Sequence, residues 1–174
     1  MAKLLLGSGL RLMECIHLRI KDLDFDRRRI HIPGKGNRWR SSILPDSIIL
    51  ELESHVCRVK ELHQTDLREG LGEVYIPEAL SRKFPNACRE IGWQYVFPSK
   101  KRSIDPKSRP ERRHHVLESG LQKAVKRAGS NAGIKKRVTS HTLRHSFATS
   151  MLEKGINIRV LQEIMSAFSM TPFW

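Results

Sequence analysis

Three short segments of the 174-residue chain carry the side chains most suited to chemistry. Arg11 follows a glycine-containing loop, Lys35 stands between two glycines, and His141, Arg144 and His145 occur together in a third segment. On a helix, His141 and Arg144 would share one face because they are three residues apart. Two forked guanidiniums can bind phosphate oxygens, and a lysine in a flexible turn can donate a proton to a leaving oxygen. The set is suited to cleaving a phosphodiester by transfer to a side-chain hydroxyl.

Each segment alone has an ordinary explanation. A histidine and an arginine three residues apart are more often a surface pair, and a lysine between glycines is usually part of a solvated turn. Their joint occurrence in a basic protein favours a phosphate site. This chemistry requires no metal, and the sequence shows no acidic cluster that would hold one. Neither a metal nor another cofactor is therefore predicted.

The sequence predicts an α+β fold that is mainly α, with a small antiparallel β-sheet. Short β-prone runs at residues 29–32 and 40–44 flank the glycine-rich turn of Lys35 and predict a hairpin. Asp46 is predicted to cap a long helix, and Thr139 with Ser140 to cap the helix that carries Arg144. These elements would position the three segments.

Residues 66–115 form a proline-rich, irregular middle segment. It is predicted to hold small helices around residues 78–84 and 86–92 and a short strand at 95–97. Residues 99–113 are predicted to form an exposed basic loop.

Charge is the clearest bulk property, since 32 Lys and Arg against 18 Asp and Glu give a net charge of +14. Such a surplus favours a nucleic-acid partner, with a ribosomal-type basic surface or a membrane-surface protein as the alternative. Basic patches recur at predicted turns, and contacts to a DNA backbone are predicted at Arg38, Arg40 and Arg113. No apolar run reaches membrane-spanning length. The three cysteines indicate neither a zinc site nor a disulfide framework.

The motifs Gly-Ser-Gly-Leu-Arg-Leu-Met-Glu (7–14), Pro-Gly-Lys-Gly-Asn (33–37) and His-Thr-Leu-Arg-His-Ser-Phe-Ala-Thr (141–149) resemble those of the tyrosine recombinase (lambda-type integrase) family. The resemblance covers nearly the whole chain. It implies a DNA-binding catalytic domain for DNA integration and recombination in a bacterial cytoplasm. It also implies site roles: Arg11 and Arg144 as phosphate-binding arginines, Lys35 as general acid and His141 as the active-site histidine. The role of His145 stays open between chemistry and core packing.

The middle segment adds a narrower resemblance, to the additional segment of integron integrases, a group associated with mobile genetic elements. The matching stretches are residues 75–80, 83–87, 93–98 and 113–115. Members of that group bind a folded single strand whose extrahelical bases this segment holds. The resemblance implies that Trp93 and Pro106 stack on such bases, with His114 nearby, and an aromatic face can stack on any base. A core tryptophan and a plain loop proline are the alternatives.

After Met165 the family pattern expects a glycine, then a histidine, and a tyrosine nine residues after that histidine. Ser166 and Ala167 occupy the first two positions, and the sequence has tyrosines only at Tyr75 and Tyr95. The expectation is a catalytic domain over residues 1–174, truncated at both ends, that binds the scissile phosphate but does not cleave it.

Two other hypotheses stay open. The chain could be a non-catalytic module that binds DNA and regulates or inhibits full-length recombinase, through self-association or contact with other recombinase subunits. A helix-turn-helix regulator built on residues 141–165 is the more distant alternative. The recombinase hypothesis predicts binding to folded single-stranded recombination sites as well as to duplex DNA.

Overall fold

The computed structural model describes residues 1–33, 39–104 and 110–165. Lys35, Arg38 and Pro106 lie outside these ranges. Within them the predicted fold class is confirmed, since the chain is mainly helical with two small antiparallel sheets. The helices are α1 (Ala2–Ser8), α2 (Leu12–His17), α3 (Ile49–Arg68), α4 (Glu78–Lys83), α5 (Glu118–Asn131), α6 (Ser140–Glu153) and α7 (Ile158–Met165). The strands are β1 (Leu23–Asp24), β2 (Arg29–Pro33), β3 (Trp39–Ile43), β4 (Ser103–Ile104) and β5 (Glu111–Arg112). Among the described residues, no helix contains an apolar stretch of the length that a lipid bilayer requires.

The three-stranded sheet places an arginine on its buried face. Strands β1, β2 and β3 pair antiparallel in sequence order, which confirms the predicted hairpin. Ile32 of β2 lies opposite Arg40 of β3, and Ile30 lies opposite Ser42. Successive side chains of a strand alternate between faces, and all four of these side chains are buried. The hairpin therefore directs the Arg40 guanidinium into the protein.

A close contact between α1 and α6 joins the beginning of the chain to its last third. Leu4 of α1 and Phe147 of α6 are fully buried. Gly9 ends α1 in the left-handed conformation, with φ of 59°, and a Cβ at this position would lie 2.4 Å from Cδ1 of Phe147. Because only glycine allows this approach, the chain can pass beside α6 immediately before Arg11. The packing thus brings Arg11 toward the helix that carries Arg144.

The middle segment has an apolar cluster of its own. Val74, Ile76, Ala87 and Tyr95 are buried together, and Trp93 packs against them. This second cluster is separate from the main core, which lies between the helices and the three-stranded sheet.

Several predicted details of the middle segment are wrong. Residues 86–90 form turns and a bend that lead into a 3-10 helix at Ile91–Trp93. Residues 95–97 form no continuous strand, since Tyr95 makes only an isolated bridge to Arg19. The region predicted as a basic loop contains a small hairpin, because β4 and β5 pair antiparallel. Elements this short carry too few residues to show a periodic pattern, and their pairing depends on tertiary partners.

The predicted cap of the long helix is also wrong. Asp46 begins a 3-10 turn, Asp46–Ile48, and α3 begins only at Ile49. The Asp46 carboxylate pairs with the guanidinium of Arg28 at 2.9 Å.

Replacing Gly9 by alanine is expected to lower the free energy of unfolding by about 2–5 kcal/mol. The left-handed backbone costs alanine about 1–2 kcal/mol, and overlap with a packed side chain typically costs about 1–3 kcal/mol more. Gly133→Ala is the matched control, since Gly133 has φ of 69° and nothing within 4 Å of an added Cβ. Urea denaturation measures both variants. Equal losses would contradict the close packing of Gly9 on Phe147.

Candidate phosphate-binding site

One carboxylate lies at the centre of a cluster of arginines. Glu14, in the first turn of α2, accepts a hydrogen bond from the backbone N–H of Arg11 at 2.7 Å and another from its guanidinium at 2.9 Å. Nη2 of Arg40 donates to Oε2 of Glu14 at 2.5 Å. Nη1 of Arg144 lies 3.9 Å from the same oxygen. Three guanidiniums, from the start of α2, from β3 and from α6, therefore meet around a single carboxylate.

Backbone carbonyls hold two of these guanidiniums in place. Arg144 donates to the carbonyl oxygen of Gly9 and, at 2.5 Å, to that of Met165. Arg40 donates to a carbonyl in the last turn of α7. Burial lowers the pKa of both Arg40 and Arg144, and the positive charge of Arg11 shifts both in the same direction. Since arginine remains protonated in proteins, three positive charges face one negative charge here.

A cavity of about 260 Å³ opens beside Arg11 and Arg144. Its other walls include the aliphatic side chains of Leu152, Ile158 and Met165, from α6 and α7. The Arg11 side chain is half exposed, so donors that do not bind Glu14 remain accessible. The excess of positive charge attracts an anion, and guanidinium forks match the geometry of phosphate oxygens. The arrangement is therefore suited to binding a phosphate.

His141 lies on α6, near the start of the helix that carries Arg144. Its Nε2 is 2.7 Å from Nε2 of His145, and the two exposed rings meet edge to face with centroids 4.2 Å apart. Thr139 caps the helix by accepting a hydrogen bond from the N–H of Thr142, which agrees with the predicted cap. Within the described ranges, no hydrogen bond or ring contact links His141 to Arg11 or Arg144. The structure thus brings the two arginines together and places the histidine on the same helix.

Arg40 and Glu14 have roles in the cluster that the sequence analysis missed. Arg40 was predicted to contact a DNA backbone, but it is only 8% exposed and lies inside the cluster. The signal for Glu14 is its position three residues after Arg11, the spacing at which a side chain folds back on a helix start. The signal for Arg40 is its position on the inward-facing side of β3, which becomes clear only once the strand boundaries are known.

Arg113, also predicted to contact DNA, is bound to α3. Its Nε and Nη2 donate to the two carboxylate oxygens of Asp66 at 2.6 and 2.8 Å, and its Nη1 donates to the carbonyls of Ser99 and Lys100. The hydrogen bonds from Arg113 hold the pKa of Asp66 below its usual range. A bidentate pair of this kind ties the middle segment to α3. These bonds engage four of the five N–H groups of Arg113, and its contact with DNA stays a prediction.

Trp93 and His114 both lie at the second cluster. Trp93 is half-buried, and Nζ of Lys21 stands 3.4 Å from the centroid of its ring. His114 stacks on Tyr95, with ring centroids 6.3 Å apart and an angle of 21° between the rings. Both side chains are thus at the surface of the middle segment, where the resemblance placed a base-binding site.

Comparisons with known proteins converge on one family. Residues 1–169 match the model of the phage integrase family. An integrase/recombinase of Escherichia coli is 43% identical over 165 residues, covering 94% of this chain and 49% of that protein. Tyrosine recombinase XerA of Pyrococcus furiosus is 31% identical over 169 residues, covering 97% of this chain and 45% of that protein. The chain therefore spans about half the length of these relatives.

Solved structures share the fold. The crystal structure of XerA recombinase has a TM-score of 0.64 at 27% identity, over 96% of this chain and 47% of that one. The structure of XerH recombinase bound to its difH substrate has a TM-score of 0.58 at 23% identity, over 97% of this chain and 38% of that one.

Replacing Glu14 by alanine is expected to lower the free energy of unfolding by about 3–5 kcal/mol, because it leaves nearly buried guanidiniums without their counter-charge. Glu51→Ala is the matched control. Glu51 also pairs with a cation, Lys3, but both side chains are 64% exposed, so its loss should leave the urea midpoint nearly unchanged. Similar midpoints for the two variants would show that Glu14 does not organise the cluster.

Proposed function

This chain belongs to the phage integrase family of tyrosine recombinases, and from that premise we propose that it is the catalytic domain of an integron-type site-specific recombinase. The observation that carries the proposal is the meeting of Arg11 and Arg144 around Glu14, beside a cavity open to an anion. The anion proposed for this site is the scissile phosphate of DNA. A net charge of +14 supports a polyanionic partner.

In the proposed mechanism Arg11 and Arg144 bind the non-bridging oxygens of that phosphate. Their charge is fixed in place before the substrate arrives, which is how an enzyme stabilises developing negative charge at low reorganisation cost. Lys35, which falls between β2 and β3 in the sequence, is proposed to protonate the leaving 5′-oxygen. His141 is proposed to complete the site from α6.

Neither of the two tyrosines of the sequence is suited to act as the nucleophile. Tyr95 is buried in the second cluster, and burial raises the pKa of its hydroxyl, which disfavours the phenolate. The backbone carbonyl of Tyr75 accepts a hydrogen bond from Arg19, at the same side of the molecule. We therefore propose that a polypeptide of these 174 residues binds the phosphate without forming a covalent link to it.

The proposed DNA includes folded single strands with extrahelical bases as well as duplex. Supporting this, Trp93 and His114 lie together at the second cluster, within the segment that resembles the integron-integrase addition. Base stacking on an aromatic ring contributes about 1–3 kcal/mol per base and tolerates any sequence.

A second candidate function, regulation of a full-length recombinase, is supported by exposed aliphatic side chains. Leu152, Ile156, Ile158 and Val160, around the connection between α6 and α7, are all more than a third exposed. Leu152 and Ile158 line one cavity, and apolar side chains that adjoin one another at a surface are typical of a contact with another subunit. Mixing the chain with an active homologue separates the two candidates, since inhibition at equal DNA occupancy indicates that it joins the assembly.

The Arg11→Ala variant is expected to weaken binding to a folded recombination-site oligonucleotide by about 1–3 kcal/mol, because a charged phosphate ligand is lost. Arg58→Ala is the control, since Arg58 is exposed on α3 and bonds only to Ser54 among the contacts described. Fluorescence anisotropy at two salt concentrations measures both. A loss for Arg58→Ala as large as that for Arg11→Ala would argue against a specific phosphate site.

The same oligonucleotide, nicked so that a cleaved strand cannot religate, tests for strand cleavage. Denaturing electrophoresis should show no covalent protein–DNA adduct with the 174-residue chain. Formation of an adduct would contradict the proposal that these residues lack a nucleophile.

A further inference from the structure

Two histidines from distant parts of the chain meet outside the phosphate-binding site. His17 is the last residue of α2, and His115 lies three residues after the end of β5. Their Nε2 atoms are 3.2 Å apart, and the ring centroids are 4.6 Å apart with an angle of 67° between the rings. His17 is exposed and His115 is half-buried, so an ion from solvent can reach the pair. Neither histidine has a role in the function proposed above.

One buried segment holds the backbone beside both histidines. The N–H of Val96 donates to the carbonyl of Leu18, the residue after the first histidine, at 2.8 Å. The N–H of Val116, the residue after the second, donates to the carbonyl of Phe97 at 2.9 Å. Val96 and Phe97 are themselves buried in the main core. Hydrogen bonds and core packing therefore keep the two histidines next to each other.

A hydrogen bond sets the orientation of the second ring. Nδ1 of His115 lies 2.8 Å from the carbonyl oxygen of Val116. Because a carbonyl oxygen only accepts, Nδ1 carries the proton, and Nε2 of the neutral ring has the free lone pair. Nε2 of His17 then donates to that lone pair across the gap between the rings. A histidine that donates its other ring N–H to a carbonyl is oriented as metal-binding histidines are.

The separation of the two nitrogens fits a tetrahedral zinc ion. Zinc binds imidazole nitrogen at about 2.0–2.1 Å, so two nitrogens at a tetrahedral angle are about 3.3–3.4 Å apart. The observed 3.2 Å is close to this value. The other adjacent pair, His141 and His145, has its Nε2 atoms only 2.7 Å apart, which is too short for two ligands of one tetrahedral ion. The geometry thus favours the first pair.

We propose that His17 and His115 bind one Zn²⁺ ion. The ion replaces the hydrogen bond between the rings, and the proton on Nε2 of His17 moves to Nδ1 of the same ring. Both imidazoles then bind through Nε2 as neutral ligands. No group of three or more His, Cys, Asp and Glu residues in the described part of the chain could hold an ion, so the remaining positions are left to water.

Two features make this a site of modest affinity. Two protein ligands are fewer than the four that a structural zinc ion usually has. The positive charge of Arg19 also acts on His17 and opposes a cation there. An ion held in this way exchanges with solvent, and the occupancy of the site follows the zinc concentration.

The bound ion would join α2 to the middle segment. Glu14, which binds the arginine cluster, is in the first turn of α2, and His17 is at the opposite end of the same helix. The ion would therefore hold the end of α2 that the cluster does not hold, as a structural ion without a part in phosphate chemistry. This inference is independent of the proposed function, since it involves neither DNA nor the arginines.

Titration calorimetry with ZnCl₂ tests the site, and the tightest site of the unaltered chain should bind one ion. His17→Gln and His115→Gln should each weaken binding at that site by at least about 10-fold, because even the loss of a residue that only supports a metal ligand has an effect of this size. His145→Gln is the matched control, since it removes an imidazole from the other pair. Cys57→Ser is a second control, because Cys57 is an exposed free thiol. Both controls should keep the affinity of the unaltered chain.

Thermal unfolding gives a second measurement. An ion that binds the folded chain stabilises it, so zinc at about a hundredfold excess over its dissociation constant should raise the midpoint of the unaltered chain by about 5–10 °C. At the same zinc concentration His17→Gln and His115→Gln should show a much smaller rise. The midpoint of each variant without zinc shows that it is folded.

The variants identify the ligands of the ion. Weaker binding in both His17→Gln and His115→Gln, with both controls unchanged, supports the site. It is overturned if the unaltered chain binds no zinc or if either of these variants keeps the full affinity. A loss confined to His145→Gln would assign the ion to the other pair of histidines, and a loss confined to Cys57→Ser would assign it to the thiol. Both results would contradict the proposal.

Discussion

The structure depends on a carboxylate that three guanidiniums share. Glu14 contacts Arg11, Arg40 and Arg144, which come from three elements that are distant in the sequence. Like charges at this separation would repel one another, so the carboxylate is what allows the guanidiniums to lie together. One carboxylate does not neutralise three guanidiniums, and the remaining positive charge is available to a ligand. An arrangement of this kind prepares a site for an anion before the anion arrives.

Packing elsewhere in the fold also brings these guanidiniums together. Gly9 brings the chain close to Phe147 and offers its carbonyl to Arg144. The alternation of β3 turns Arg40 inward, and the end of α7 accepts hydrogen bonds from two of the arginines. These contacts join the two guanidiniums to the residue that ends α1 and to the last turn of α7. The phosphate site and the core are therefore parts of one packing arrangement, so substitutions at Glu14 are expected to affect both.

The sequence predicted the fold class, the central hairpin and the cap of α6 because these have local signals: β-prone runs beside glycines, and a threonine before a helical pattern. It placed Arg11 and Arg144 in one site through the resemblance to a family, since spacing alone does not show that they meet. It missed the part played by Arg40, whose burial depends on strand register. The predictions of a helix after Asn86 and of a loop over residues 99–113 were wrong because the elements found there are too short to show a periodic pattern. Lys35, Arg38 and Pro106 stay predictions, as does the role of His141.

Tungstate, a phosphate analogue with a strong anomalous signal, tests the central claim most directly. Crystals of the chain would be soaked with it and measured at the tungsten absorption edge. The account predicts one tungstate within hydrogen-bonding distance, about 2.7–3.2 Å, of the guanidiniums of both Arg11 and Arg144. Tungstate bound only elsewhere, or guanidiniums of Arg11 and Arg144 that lie too far apart to share one ion, would contradict it.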